Sequence, residues 1–420
     1  MDQSIREMAS TVVSKPAGAL VASTIGISVG VTSTVTAVFS LFLVPLATEF
    51  DVPRTSVSLV LALVAIANAI TYPIMGRFAD HYGARKVILC GTILFVLAMT
   101  FVSKVEGLLQ LYIAYTLIGI SGSALGPVLF SKIVSGWFDS NRGFSLGIIG
   151  GVGNGVGSAV MPLYVLMLIS EYGWRGAYQG IAALIFFLAL PILFFFLRDP
   201  PMAASAVSDQ SAGELSGLSF KEARQTSAFW LLLISIAVCS GCLLAVFTHV
   251  VPILTDRGVA MSDATAVLTT FALVTVASQV VVGLLLDKMG RPRLICVMLF
   301  MSVLGLGVLA SATSVSMYML SATLMGLSLG AEFGLLPYAI SRYFGLKDFG
   351  QILGIIYSMV ALASGFLPVL MDVVFDLTDS YNIAIFGAAL GMLIGTVMIG
   401  LLPRFDSLVE SRPSAISKGV

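Results

Sequence analysis

The chain has 420 residues; 58% are apolar, only 10% are charged, and 22 basic side chains balance 22 acidic ones. A soluble domain is about 25% charged, so a fully water-covered surface is excluded and lipid must be the main solvent. The neutral balance, without a basic patch or tail, excludes nucleic acid as a partner.

In lipid the backbone must satisfy itself, which leaves helices or closed barrels. Apolar runs of about 20 residues or more without period-two alternation select helices. The expected fold is therefore an all-α membrane protein. Residues 1–18 are polar and read as a cytoplasmic N-terminal segment. The stretch from Ala19 to Leu46 is too long for a signal peptide and reads as the first span. Eleven more follow, at 56–77, 87–103, 108–136, 143–169, 174–197, 228–252, 263–286, 294–312, 316–340, 350–375 and 382–402. The one long polar interval, 198–227, contains Pro200 and Pro201 and a short helix expected around Phe220–Arg224. It reads as a cytoplasmic linker between six-helix halves at 19–197 and 228–402, with 403–420 as a cytoplasmic tail.

Cations set the expected orientation. With the N-terminus inside, 17 of the 22 Lys and Arg residues fall on inner segments, four fall outside (Arg54, Lys104, Arg175, Arg257), and Lys132 lies within a span. The positive-inside rule then puts both termini in the cytoplasm, with the chain multi-pass in a cell inner (plasma) membrane. The halves also repeat. Gly76, Asp80 and Gly83 after span 2 recur as Gly283, Asp287 and Gly290 after span 8, and Gly143-Phe-Ser-Leu-Gly147 recurs as Gly350-Gln-Ile-Leu-Gly354. Every pair differs by one offset (287 − 80 = 207). Six spans separate equivalent points, so the repeats are parallel, and a binding site is expected between them near the midplane. Small residues at four-residue spacing, Gly143, Gly147, Gly151 and Gly155 and again Gly350, Gly354 and Ser358, predict helix faces that approach closely.

The doubled loop Gly-x-x-x-Asp-x-x-Gly, followed by Arg85 in the first copy and by Arg291 and Arg293 in the second, resembles the signature of the major facilitator superfamily. The resemblance covers the whole chain and implies two pseudo-symmetric six-helix halves working by alternating access. It implies gating roles for Asp80, Arg85, Asp287 and Arg291, with Arg142 and Arg342 beside them. The expected pairs are Asp80 with Arg342 or Lys347, and Asp287 with Arg142. Smaller motifs, in order, are similar to the monocarboxylate porter and oxalate/formate antiporter branch: Trp137-Phe138-Asp139-Ser-Asn-Arg142-Gly143, Tyr172-Gly173-Trp174-Arg175, Arg198-Asp199-Pro-Pro, Phe229-Trp230 and Ser341-Arg342-Tyr343-Phe344-Gly345. That branch implies a small organic anion moved with a proton or in exchange. Members often carry Arg in span 8 where this chain has Gln279. A guanidinium holds a carboxylate by two charge-assisted bonds, which an amide cannot match.

Ionisable groups inside the membrane cost several kcal/mol and mark function. Glu332, deep in span 10, is the expected proton carrier or substrate contact. Lys132, in span 4, either snorkels to the cytoplasmic interface or faces the cavity, as counter-charge to the anion or partner of Glu332. His249, near the outer end of span 7, is read as a proton acceptor or a packing residue, and Gln279 as a substrate hydrogen-bond donor. Asp372 reads as an interfacial helix-end residue. Cys239-Ser-Gly-Cys242 shares a helix face, but without further ligands it reads as packing, as do Cys90 and Cys296. No cofactor, metal or enzyme chemistry is expected, and no protein partner is required. The partners are a small organic substrate, with protons or a counter-substrate, and the bilayer. Two alternatives are a carrier of a larger amphiphile and a transporter-shaped sensor without flux.

Overall fold

The computed structural model describes residues 15–200, 217–289 and 293–403. The middle of the expected linker, both chain ends and Arg291 lie outside the described residues. Among the described residues, ten stretches are long and apolar enough to cross a membrane. One of them, Arg142–Phe196, breaks at Gly173, whose φ of +66° ends one helix and turns the chain into the next. With the 19-residue apolar helix Arg293–Ser311, the described residues make twelve crossings.

We label them α1 to α12. Helix α1 (15–49) is Lys15–Ser28, a π turn Thr32–Thr36 and Phe39–Glu49. Then follow α2 (Arg54–Tyr82), α3 (Ala84–Val102), α4 (Leu108–Trp137), α5 (142–172) and α6 (174–196). The second half contains α7 (Ser227–Asp256), α8 (Met261–Met289), α9 (Arg293–Ser311), α10 (Val315–Tyr343), α11 (Phe349–Thr378) and α12 (Asn382–Gly400). The expected linker helix is one turn, Phe220–Ala223, closed by a capping box of Ser219 and Glu222.

Two details differ from the sequence reading. The first signature motif is not a loop: α2 stays helical through Asp80 to Tyr82, and only Gly83, at φ +87°, turns the chain. The first half is also less regular than its apolar runs imply. Helix α4 opens at Ser123–Leu125 and restarts at Pro127, and α5 contains a glycine-rich π segment, Ile148–Gly153. Proline lacks the N–H that would continue the ladder, and π turns cluster at functional sites.

Helices α1, α4, α7 and α10 are the most enclosed. Large apolar side chains such as Leu109, Phe187 and Leu377 point outward, more than 70% exposed, which only lipid tolerates at this density. The halves meet through α2 with α11, α5 with α8 and α10, and α4 with α10 and α11. The small faces make these crossings. A Cβ on Gly76 would collide with the carbonyl of Gly350, and one on Gly143 with the carbonyl of Gly283. Gly354 lies on the backbone of Tyr72, and Gly147 on that of Gln279. The 207-residue offset maps each of these contacts onto the other, so the internal repeat is a repeat of contacts as well as of sequence.

Candidate functional site: the interlocked end and the buried ionisable groups

The first turn of a helix leaves backbone N–H groups without intrahelical partners. In α11 two of these belong to Gly350 and Gln351, and in α5 to Gly143 and Phe144. Neither helix satisfies them from its own N-cap side chain. Asp80 of α2 accepts from Gly350 N at 2.9 Å and Gln351 N at 2.7 Å. Asp287 of α8 accepts from Gly143 N and Phe144 N, both at 2.8 Å. Each half therefore caps a helix of the other. A carboxylate at the end of its own helix is badly placed in that helix's dipole, and the partner's positive N-terminus offsets this.

The two caps differ in charge. Asp80 is held by Lys132, whose Nζ lies 2.7 Å from Oδ1 and also donates to Ala79 O at 2.6 Å. Both side chains are about nine-tenths buried. Position 339, the repeat equivalent of Lys132, is alanine, and among the described residues no cation lies within ion-pair distance of Asp287. The pairings expected from sequence are thus corrected. Asp80 pairs with Lys132, so Lys132 neither snorkels nor meets Glu332. Arg142 turns away from Asp287, donating to Phe138 O, Ser341 Oγ and Asp139 Oδ1 at 2.9, 3.0 and 3.1 Å. Arg342 reaches Asp139 as well, through its carbonyl at 3.2 Å and its carboxylate at 3.5 Å. Asp139 and Ser341, quoted above only as motif letters, are therefore part of the contact between halves. Arg85 stays within its own half, donating to Phe194 O at 2.7 Å. Its backbone amide is capped by Asp199 at 3.1 Å, which gives the Arg198-Asp199-Pro-Pro motif a structural task.

Deeper in the bundle, Glu332 is fully buried. Its Oε2 accepts from Ser240 Oγ of α7 at 2.6 Å, and its Oε1 has no partner among the described residues. Ser240 lies inside the C-x-x-C stretch, where helix geometry distributes the neighbours. Cys239 packs on Gly395 and Cys242 on Gly391 of α12, Gly241 faces α11, and Ser240 faces α10. His249 Nδ1 is 2.8 Å from Ala245 O, and Nε2 is 2.8 Å from Asp372 Oδ1. Asp372, near the end of α11, is thus the partner of His249. Gln279 is buried, its amide oxygen lying against Gly150.

Two related bundle halves in lipid, interlocked at one end and holding ionisable groups inside, are the architecture of a membrane transporter. The sequence profile of the Major Facilitator Superfamily matches residues 25–265 and 250–418, and the chain belongs to that superfamily. It is 24% identical over 380 residues to the uncharacterized MFS-type transporter YcxA of Bacillus subtilis, covering 88% of this chain and 90% of that one. It is 26% identical over 376 residues to human monocarboxylate transporter 11, covering 86% and 77%. Among solved structures, the Escherichia coli fucose:proton symporter FucP superposes with a TM-score of 0.73 at 12% identity, over 91% of this chain and 97% of that one. The human organic anion transporter MFSD10 superposes at 0.71 and 15% identity, over 91% and 99%. The protein is a secondary transporter and not an enzyme.

Proposed function

We propose that the protein carries a small organic anion of the monocarboxylate type, with a proton or in exchange, between two states that open at opposite ends. The observation that carries the coupling is Glu332, a fully buried carboxyl with one oxygen held by Ser240 and the other without a partner among the described residues. Such a group is suited to bind and release one proton. The ordered motifs of the monocarboxylate porter branch support the substrate class, as does the similarity to monocarboxylate transporter 11. The cation bias of 17 to four supports a cytoplasmic signature end, cytoplasmic termini and an inner-membrane location.

In this reading the Asp80 and Asp287 caps are the cytoplasmic gate. They hold that end closed, and release into water when the halves rock apart. Coupling requires proton and substrate to favour the same reorienting state, because a ligand with equal affinity for both shifts nothing. A larger amphiphile is the second reading. It is favoured by Gln279 in place of Arg, and by the engagement of Lys132 with Asp80.

Purified protein in liposomes tests both, using labelled monocarboxylates with and without an inward proton gradient. Glu332→Gln is expected to abolish gradient-driven accumulation while counterflow at equal pH persists. Accumulation that survives in Glu332→Gln removes this residue from coupling. If no carboxylate moves, the anion reading fails and the amphiphile reading takes its place.

A further inference from the structure

The N-cap of a helix is the residue whose carbonyl accepts the first intrahelical bond, and its side chain ordinarily accepts from the second or third amide inside. In α5 that residue is Asn141, whose carbonyl accepts from Ser145 N at 3.0 Å. In α11 it is Asp348, whose carbonyl accepts from Ile352 N at 3.0 Å. The two are repeat equivalents (348 − 141 = 207). Asparagine and aspartate rank with serine as the best side chains for this position, yet neither caps its own helix. By position, the amides they would serve are those of Gly143 and Phe144 in α5, and of Gly350 and Gln351 in α11. These are the four that Asp287 and Asp80 occupy from the opposite half.

Both residues are turned aside in the same way. Asn141 has φ −113° and ψ 31°, and Asp348 has φ −110° and ψ 35°, whereas a capping residue has an extended backbone. A turn of about 100° in ψ would bring each into that region. Asn141 is exposed. Asp348 is engaged elsewhere: its Oδ2 accepts from Phe220 N, in the first turn of the linker helix, at 2.8 Å. Beside it Leu218 N donates to Phe344 O at 2.7 Å, and Gly217 bridges Gly345. The end of the linker is thus fastened to the α10–α11 turn, immediately before the amides that Asp80 holds. When the halves part, all four amides lose their acceptors, and each helix's own N-cap is the group placed to replace them.

We propose that Asn141 and Asp348 are stand-by caps. As the signature end opens, each takes over the amides of its own helix that Asp287 and Asp80 give up, and Asp348 lets go of the linker turn in doing so. Both are positioning residues, acting through the helix ends. The closed state is capped from across and the open state from within, so two carboxylates withdraw without leaving bare N–H groups behind. This rests on the reading of Asp80 and Asp287 as a gate, and adds what happens to the helix ends once the gate is open.

The test uses the full chain in liposomes, with spectroscopic probes at the signature ends of α2 and α11 whose distance gives the ratio of open to closed protein. Lys132→Met strands the Asp80 charge in the closed state and serves as the background in which the open state is populated. Adding Asn141→Ala is expected to lower the open-to-closed ratio roughly fivefold, the effect of losing one N-cap. Adding Asn141→Ser instead is expected to leave the ratio unchanged, because serine caps as well as asparagine while sharing little else with it. Hydrogen exchange at the Phe220 amide is expected to be several-fold faster in Lys132→Met than in the wild type, because Asp348 has left it. A ratio that Asn141→Ala does not lower, a serine that acts like alanine, or a Phe220 amide equally protected in both proteins overturns this inference alone. If Lys132→Met leaves the probe distance where it is in the wild type, the gate reading falls and the exchange of caps falls with it.

Discussion

Lys132→Met is expected to drive the protein away from the state closed at the signature end, and adding Asp80→Asn is expected to reverse much of that shift. Removing one partner of a buried ion pair costs about 3–5 kcal/mol, because the remaining charge is stranded. Here Asp80 would keep its amide donors from Gly350 and Gln351, which places the expected cost toward the low end of that range. When the halves part, the carboxylate meets water and the penalty vanishes, so it falls on the closed state alone. A bias of about 3 kcal/mol is more than a hundredfold in the population ratio. The readout is the distance between probes on the exposed ends of α2 and α11, with substrate flux measured in parallel. In a double-mutant cycle each single variant should be worse than the double. A double variant no better than Lys132→Met would show that the pair does not hold the gate.

The glycine crossings carry the second large effect. In Gly283→Ala the new methyl meets the carbonyl of Gly143, and in Gly76→Ala that of Gly350. Both obstacles are backbone, so no rotamer change relieves them and whole helices must move apart. Overpacking of this kind costs about 1–3 kcal/mol, which biases the equilibrium toward the parted state by roughly 5-fold to 150-fold. Transport should fall accordingly, while the protein stays folded, since alanine favours a helix more than glycine does. Gly307→Ala is the control, because a Cβ there finds nothing within 4 Å. Its rate should equal that of the wild type. Wild-type flux in Gly283→Ala would mean that the halves do not need this approach.

Much of the architecture is legible in the sequence because bilayer physics is severe. A span must be apolar and about 20 residues long, and the twelve expected spans lie inside the twelve observed crossings to within a few residues. The small faces on α5 and α11 were legible for the same reason, since close approach requires them. The ion pairs were not. Lys132 and Asp80 lie 52 residues apart on different helices, and nothing in either local stretch points to the other. The pairing of Asp80 with Arg342 failed because it sought the cation in the other half, whereas Lys132 of the same half supplies it and the contact across is made by a helix N-terminus, itself a positive group. Asp139, 81% exposed on its side chain, drew no attention because an aspartate in a polar turn is ordinary. The 207-residue offset pairs Gly76 with Gly283 and Gly143 with Gly350, the four residues that meet where the helices cross, but it does not say that Gly76 lies on Gly350 and Gly143 on Gly283. The openings in α4 and α5 had weaker signals, in Gly126-Pro127 and in a run of glycines.

The reciprocal caps have a consequence for the kinetics of the cycle. Each carboxylate is fixed to one rigid half and its amides to the other, and a single repeat relation governs both crossings. Neither clasp can be undone while the other stays shut unless a half bends. The end should therefore behave as a latch with two tongues on one bolt, without a half-released intermediate. Partial damage to either tongue should change how often the latch opens and leave unchanged how far it swings.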